Sequence, residues 1–536
     1  MATPEPVKPS ENPLERNSLM RLSDARMRKS YIELDIKEAY FFTAPWRQRQ
    51  ISSMTAPAQQ RMLDAPELNT DIAFLLCQDF VTEIVNTFMP EAQPWCERGP
   101  GMDLPAGVWE RIKDDIKKDD NKIFSAMKAS NLYPEITKSF YPDLAIGTVG
   151  MWIARPHPHQ SVVVSAIPLR ELEINLGPYG GIDDRFAVRY TRNCYVQELV
   201  GVEIWAKMEA DFKKVIEEKE AERTQVTWGF WRLWDEKDDE TWQHVVLVGN
   251  RLVHDAKLKG EGCCPLLVAR FNPTADWPHG QGPMLQGLPT LRQVDELEML
   301  RMEQAAREIK PPIFFPDDSF AAIEQGLEDG MAYPIRPGSE KSIGSIYPPV
   351  KADAANYKYE EKTKELRKLF FVDYPEQTGD TPPTLGQWLD EMARAQRRIG
   401  TPGLPFWAEG PAAIFTRFKY LLEAAGSIKP VRVDGRAVAT LPRNPAQAAA
   451  EQQELAKAMQ MATYMGQTWP EEFKMYIDGN ASMKMMLEKA RVTLLKMRDK
   501  DQVAAAVSQI SQLVGARPAS GGPQQAGQQQ APGGVA

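Results

Sequence analysis

Cysteine and histidine are scarce, with five of each among 536 residues. The cysteines, Cys77, Cys96, Cys194, Cys263 and Cys264, are odd in number, widely spaced and end in an adjacent pair. That pattern excludes a disulfide framework and points to a reducing compartment. Long apolar runs are missing as well. No stretch approaches the roughly 18 residues a membrane-crossing helix needs, and residues 1–17, rich in Pro, Glu and Asn, lack the apolar centre of a signal peptide. A soluble, intracellular-type chain with no membrane partner is expected. Nor is positive charge in excess: Lys and Arg total 64 against 73 Asp and Glu, a net charge of −9. That argues against a protein that coats nucleic acid with a basic surface, while leaving room for one through which nucleic acid passes.

The motifs of common chemistry are absent too. There is no phosphate-cradling P-loop and no H-E-x-x-H. Gly280 and Gly282 form a G-x-G, but Leu285 stands where a dinucleotide fingerprint needs its third glycine. No cofactor is therefore expected. His157 and His159 alternate with Pro156 and Pro158 and have no cysteine or carboxylate at a metal spacing. They read as a solvated turn; a metal-dependent enzyme using both is the competing reading. Cys263-Cys264 reads as ordinary packing, and acid pairs such as Asp183-Asp184 as surface. Nothing points to catalysis or to a bound metal.

What is present is ordinary globular composition, 43% hydrophobic and 26% charged, over a length of roughly three to four domain-sized units. Residues 1–30, with Pro4, Pro6, Pro9 and Pro13 among mixed charges, read as a mobile arm. Ala73, Leu76, Cys77, Phe80, Val81, Ile84, Val85 and Phe88 recur at steps of three and four, predicting a helix over 71–88 with Asp71 as its cap and Pro90 beyond its end. Val108, Ile112 and Ile116 predict a second helix, and Ile123, Phe124 and Met127 a third. From about Gly147 the pattern turns to strands, at 149–153, 162–164, 186–191, 227–234, 242–248 and 265–271, interrupted by a charged helix over 207–223. Helix returns over 288–310, where Leu288, Leu291, Val294, Leu297 and Leu300 keep a strict step of three. Such a stripe drifts around a straight helix and suits one packed between several neighbours. Pro311 and Pro312 stop it.

A second charged helix over 357–371 carries Lys358, Lys362, Lys364, Arg367 and Lys368, and the next helix carries Arg394, Arg397 and Arg398. Glu360 precedes Lys364 by four residues, the spacing of a solvated, self-paired face. Between these helices lies the polar loop Asp373-Tyr-Pro-Glu-Gln-Thr-Gly-Asp-Thr-Pro-Pro-Thr384, in which Thr384 and Gln387 have capping-box spacing. Helices are expected at 406–425 and 445–514, the latter rich in Ala, Gln and Met. Residues 518–536 hold only Gly, Gln, Pro, Ala, Ser and Val, a disordered composition.

The order of these segments resembles the head-to-tail connector, or portal, protein of podovirus-type bacteriophages. Phe88-Met-Pro-Glu-Ala-Gln-Pro-Trp95 is similar to the end of that family's early helix, and the stretch from Ser130 to Ile153 to its helix-to-strand passage. Ile167-Pro-Leu-Arg-Glu-Leu-Glu-Ile-Asn-Leu-Gly-Pro-Tyr-Gly-Gly-Ile182 resembles its hairpin. Trp277-Pro-His-Gly-Gln-Gly-Pro-Met-Leu-Gln-Gly-Leu-Pro-Thr-Leu-Arg292 resembles the Y-G-R-G-P stretch before its long helix, with Trp277-Pro278-His279 in place of the aromatic-Gly opening and Gln281 in place of the basic residue.

The resemblance, over roughly residues 30–430, implies a helix-rich α+β protomer. Its parts would be an α/β wing at 31–286, a two-helix stem at 287–310 and 357–373, and a small clip at 311–356. A tunnel loop at 374–384 with Gln377, Thr378, Gly379, Asp380 and Thr381 would follow, then wing-completing helices at 385–443 and a helical C-terminal crown at 444–517. It implies a non-enzymatic, dodecameric ring at one capsid vertex of the virion, assembled in the host cytoplasm. Double-stranded DNA would pass through it independently of sequence, with Lys358, Lys362, Lys364, Arg394, Arg397 and Arg398 as channel candidates. Implied partners are the terminase large subunit, a separate ATPase motor, then tail adaptor and tail proteins, and the major capsid and scaffold proteins. Another virion protein, such as a scaffold or tail adaptor, is the remaining alternative.

Overall fold

The computed structural model describes residues 12–45, 68–101, 103–156, 161–234, 240–309, 313–314, 344–345, 353–372, 398, 402–431, 438–442, 458–465 and 467–468. The chain divides into two compact units, Met1–Ala446 and Gln447–Ala536. The second is described by a helical stretch at 458–465 and 467–468, on which Met459, Met461 and Met465 are exposed.

The first unit opens with α1 (Pro13–Ser30), started by Asn12, whose Oδ1 accepts from Leu14 N at 3.0 Å, and by Pro13 in the first turn. Then come α2 (Glu33–Thr43), α3 (Ile72–Phe88), β1 (Cys96–Pro100), α4 (Ala106–Ala129), α5 (Leu132–Phe140) and α6 (Asp143–Ile146). The strands β2 (Thr148–Ala154), β3 (Val163–Ile167), β4 (Leu172–Leu176) and β5 (Ile182–Arg192) follow. Three short helices, α7 (Val196–Val200), α8 (Val202–Lys207) and α9 (Ala210–Glu218), precede β6 (Arg223–Leu233), β7 (Thr241–Val248), β8 (Arg251–Lys259) and β9 (Leu266–Arg270). The chain then makes α10 (Pro283–Ile309), the short pair β10 (Ile313–Phe314) and β11 (Gly344–Ser345), and α11 (Asp353–Leu369). A helix over 402–409, α12 (Pro411–Ala424) and β12 (Val438–Pro442) complete the unit.

Two antiparallel sheets form its centre, ordered β3-β2-β9 and β4-β5-β6-β7-β8. Successive strand residues point to opposite faces, so the register sorts the five-stranded sheet into two sides. Phe186, Val188 and Val245 lie on one, Val226, Val246 and Phe230 on the other. The second side meets the small sheet, where Trp152 packs edge-on against Trp228 at 5.9 Å and tilted against Phe230 at 5.6 Å. It is also covered by α7–α9 through Val200, Trp205, Met208 and Ile216. Late segments return to the body: β12 pairs antiparallel with β1, and α12 lies against α4 through Phe415 and Phe124.

Several expectations need correction. The mobile arm does not extend to residue 30, because α1 is docked across the first side of the large sheet. Leu22 and Ala25 pack on Phe186 and Val188. Arg21 pairs with Asp184 at 2.7 Å and Lys29 with Glu173 at 3.2 Å. The two helices expected over 108–127 are one, since the polar stretch between them contains no breaker and serves the fold: Asp120 holds buried Arg98 at 2.6 Å. Asp71 makes no side-chain capping bond; Thr70 Oγ1 accepts from Ile72 N instead, at 3.3 Å. The charged helix expected over 207–223 is confined to Ala210–Glu218, and β4, β8, β1 and β12 are strands that the residue pattern alone did not predict.

Candidate functional site

The element that stands out is an antiparallel pair of helices, α10 and α11. Its root is set by glycine. A Cβ on Gly280 would lie 2.1 Å from Gly147 O, and one on Gly282 2.1 Å from Ala145 O. Only bare backbone lets this segment run against the α6–β2 turn, where Gly280 N donates to Thr148 Oγ1 at 3.0 Å and Gly282 N to Ile146 O at 2.9 Å. The G-x-G at 280–282 thus holds two chain segments together, which is why it lacks the spacing of a phosphate loop. His279 beside it is fully buried, with no hydrogen-bond partner for either ring nitrogen. Burial first, then Lys29 and Arg270, push its pKa down to about 3.

From this root α10 runs 27 residues, about 40 Å at 1.5 Å per residue. Leu288, Leu291 and Val294 are buried in the main core, Leu297 is half-buried, and Leu300 is 48% exposed. The step-of-three stripe therefore leaves the core as it climbs, and Met299 and Met302 are exposed beside it. Gly287 lets α11 approach closely, since its Cβ would meet Leu369 Cδ2 at 3.0 Å. Farther out, Arg301 Nε donates to Asn356 Oδ1 at 2.9 Å, and its guanidinium lies 4.4 Å from the centre of the Tyr359 ring. Arg292–Glu38 and Asn69–Asp295 tie the lower half to α2 and to the entry of α3.

The return helix begins at Asp353, earlier than the expected 357. It is anchored in the core by Phe370, which meets Phe80 edge-on at 6.4 Å. Phe371, at φ 60, turns the chain out of the helix, with Val372 N bonded to Arg367 O at 3.0 Å. At 100° per residue, Tyr359, Leu366 and Phe370 share the inner face, leaving Tyr357, Glu361, Lys364 and Lys368 along the outer one. Exposure agrees: the first three are buried or half-buried, and Tyr357, Lys364 and Lys368 are exposed.

The cations of α11 have different fates. Lys358 pairs with Glu361 at 2.8 Å and Lys362 with Glu365 at 2.8 Å. The hydrogen bond to Glu361, then its charge, holds the Lys358 pKa up, and the same contact holds Glu361 down. Lys364 does not pair with Glu360. Among the described residues Lys364 and Lys368 have no carboxylate within ion-pair distance. Lys368, absent from the channel candidates, stands beside Lys364 on the outer face, a placement already implied by their four-residue spacing. Arg398 Nη2 donates to Lys368 O at 3.1 Å, which brings Arg398 to this spot.

Arg394, Arg397, the tunnel-loop residues Gln377, Thr378, Gly379, Asp380 and Thr381, and His157 and His159 lie outside the described residues. So do most of the expected clip and crown and the 518–536 tail. Among the described residues no group of three or more His, Cys, Asp or Glu could hold a metal ion, and no helix is long and apolar enough to cross a membrane.

A family model for the bacteriophage head to tail connecting protein matches residues 16–493. No curated protein matches the chain. Among solved structures, the chain is similar to one in the neck of an empty gene transfer agent particle computed with C6 symmetry. That match has 11% identity and a TM-score of 0.38, and covers 78% of this chain and 90% of that one. It is also similar to a chain of the virion of the native gene transfer agent particle, at 12% identity and a TM-score of 0.36, over 77% and 93%.

Proposed function

Since the chain belongs to the bacteriophage head to tail connecting protein family, we propose that it is the portal of a tailed phage of podovirus type, a dodecameric ring through which double-stranded DNA is packaged and ejected. The family match over residues 16–493 carries this reading. Its role is structural rather than enzymatic: the force would come from the terminase large subunit as a separate motor, consistent with the missing nucleotide motif. The ring would sit at one capsid vertex among major capsid and scaffold proteins, and would later dock the tail adaptor and tail.

In this arrangement α10 and α11 are the stem, with α11 turned toward the channel. The −9 charge of the chain keeps the duplex from sticking, and a few rings of cations give weak, sequence-independent phosphate contacts. Lys364 and Lys368 suit that task better than Lys358 and Lys362, whose charges are already answered by Glu361 and Glu365. Arg394, Arg397 and Arg398, with the loop at 377–381, would form the next ring along the path.

The test is the native mass of the purified protein, with negative-stain images of the same sample. A holed ring of twelve 60.4 kDa chains is expected. A monomer or dimer that forms no ring even at high concentration defeats the reading.

A further inference from the structure

Two helical layers on opposite sides of the five-stranded sheet have complementary outer faces, and we infer that each copy of the chain uses one to grip the other on its neighbour. The inference rests on the ring reading above and adds to it a specific wing-to-wing contact. α1 crosses one side of the sheet from edge to edge. Glu15 Oε2 accepts from Leu252 N of β8 at 3.1 Å, and Lys29 Nζ donates to Leu172 O of β4 at 2.8 Å. The α7–α9 layer covers Val226, Val246 and Val248 on the other side. Because those residues and the Phe186–Val188 side occupy opposite faces by register, the solvent sides of α1 and of α8–α9 point away from each other.

The solvent side of α1 lacks the polar cover expected of a helix that meets only water. Arg16, Met20, Ser23 and Met27 follow at steps of three and four along α1 and are all exposed, with Tyr31 and Leu34 next at the join with α2. Met20, Met27, Tyr31 and Leu34 are 66%, 53%, 70% and 77% exposed. Large apolar groups in one line, adaptable methionine among them, are the composition of a contact surface. On the opposite side Val202 and Val215 are 71% and 51% exposed.

Charge distinguishes the two surfaces. On α1, Arg21 and Lys29 are engaged with Asp184 and Glu173, Arg26 with Gln225 and Arg28 with Asp24, which leaves the charge of Arg16 on its solvent side. Exposed Arg16 has no ion-pair partner among the described residues. The α8–α9 flank exposes Glu203, Asp211, Glu217 and Glu218, likewise without a partner there, against exposed Lys207 and Lys214. An apolar ridge with one unanswered arginine thus lies opposite a flank of mixed charge, acidic in excess, with two exposed valines. One protomer cannot bring the two together. A head-to-tail contact between successive copies can, and a heterologous contact of this kind repeats until the ring closes.

The test is covalent capture in the full-length protein. Met27→Cys and Val215→Cys are combined in a Cys194→Ser background, because Cys194 is an exposed cysteine in the same region while the other four are buried. Mild oxidation of assembled rings should give a ladder of disulfide-linked multimers on a denaturing gel, absent from either single-cysteine control. Rings of normal mass that yield no ladder would overturn the contact and leave the ring reading standing. Dimers from Met27→Cys alone would also overturn it, since α1 would then meet α1. In parallel, Met20→Glu with Met27→Glu should lower the ring fraction severalfold while the monomer melts unchanged; an undiminished ring fraction counts against the contact. A wild-type chain that never forms rings fails at the earlier reading.

Discussion

The root and the far end of the helix pair are built from the same residue pattern and end in opposite environments. Leu288, Leu291 and Val294 are core; Leu300, two steps of three farther on, is 48% exposed. The helix has not changed its chemistry between them. What changes is its surroundings: α2, α3 and α6 surround the lower half, while the described neighbour of the upper half is α11, held through Arg301. A three-residue apolar step marks surfaces that want partners. Whether the same chain or another copy provides them is decided by what lies alongside.

That contrast can be broken most sharply by truncation. Leu291→Ala should cost about 2–5 kcal/mol, the range for emptying a packed leucine site, whereas Leu300→Ala in the unassembled chain should cost under about 0.5 kcal/mol. Denaturant midpoints at constant slope measure both. Equal losses would mean that the far end is as well packed as the root.

The root also has a steric signature. Gly282→Ala places a methyl against Ala145 O and Ile146 C at distances no relaxed structure keeps, so a loss of about 1–3 kcal/mol is expected, as for overpacking elsewhere. Gly107→Ala, where a Cβ meets nothing within 4 Å, is the control and should be neutral or slightly stabilising. A neutral Gly282→Ala would show that the joint at the root has slack.

A smaller, pH-dependent effect comes from His279. Its folded pKa, about 3, lies below the ordinary value of 6.5, so the unfolded chain takes up a proton that the folded one refuses. The stability this contributes is fully present above about pH 6.5 and is lost as pH falls toward 3. Burial first, then the charges of Lys29 and Arg270, oppose its protonation. Replacing it by Phe should flatten that part of the acid limb in a melting-temperature profile. An unchanged limb would assign acid sensitivity to other groups.

Much of this was legible in advance, and the failures have a common physical cause. The helix at Ile72–Phe88 and the strands at Thr148–Ala154 and Thr241–Val248 lay where periodicity placed them because their own residues make the buried face. α1 was misjudged because its apolar content is small. It is fixed by Arg21–Asp184 and Lys29–Glu173, partners more than 140 positions away. β8 was missed because, as an edge strand, its residues are exposed or half-exposed throughout. At the stem, the basic cluster could be read but not sorted. Lys364 has Glu360 one turn before it, yet the pairs that form are Lys358–Glu361 and Lys362–Glu365. Helical spacing offered several pairings, and rotamers chose among them.

The sorting of those lysines yields the smallest expected effect on the fold and the most direct reading of function. Reversing Lys364 and Lys368 to Glu removes no described contact of either side chain but adds like charge beside Glu360, Glu361 and Glu365, so ring mass should stay at the wild-type value while the melting temperature falls slightly. Reversing Lys358 and Lys362 adds like charge too and also breaks their ion pairs with Glu361 and Glu365, so it should lower the melting temperature further. DNA packaging in an infected cell should respond in the opposite order, most to the first pair, since its charges have no carboxylate partner among the described residues. If packaging is unchanged by Lys364→Glu with Lys368→Glu, the outer face of α11 does not meet the duplex. The contrast between answered and unanswered lysines would then be a matter of solvation alone.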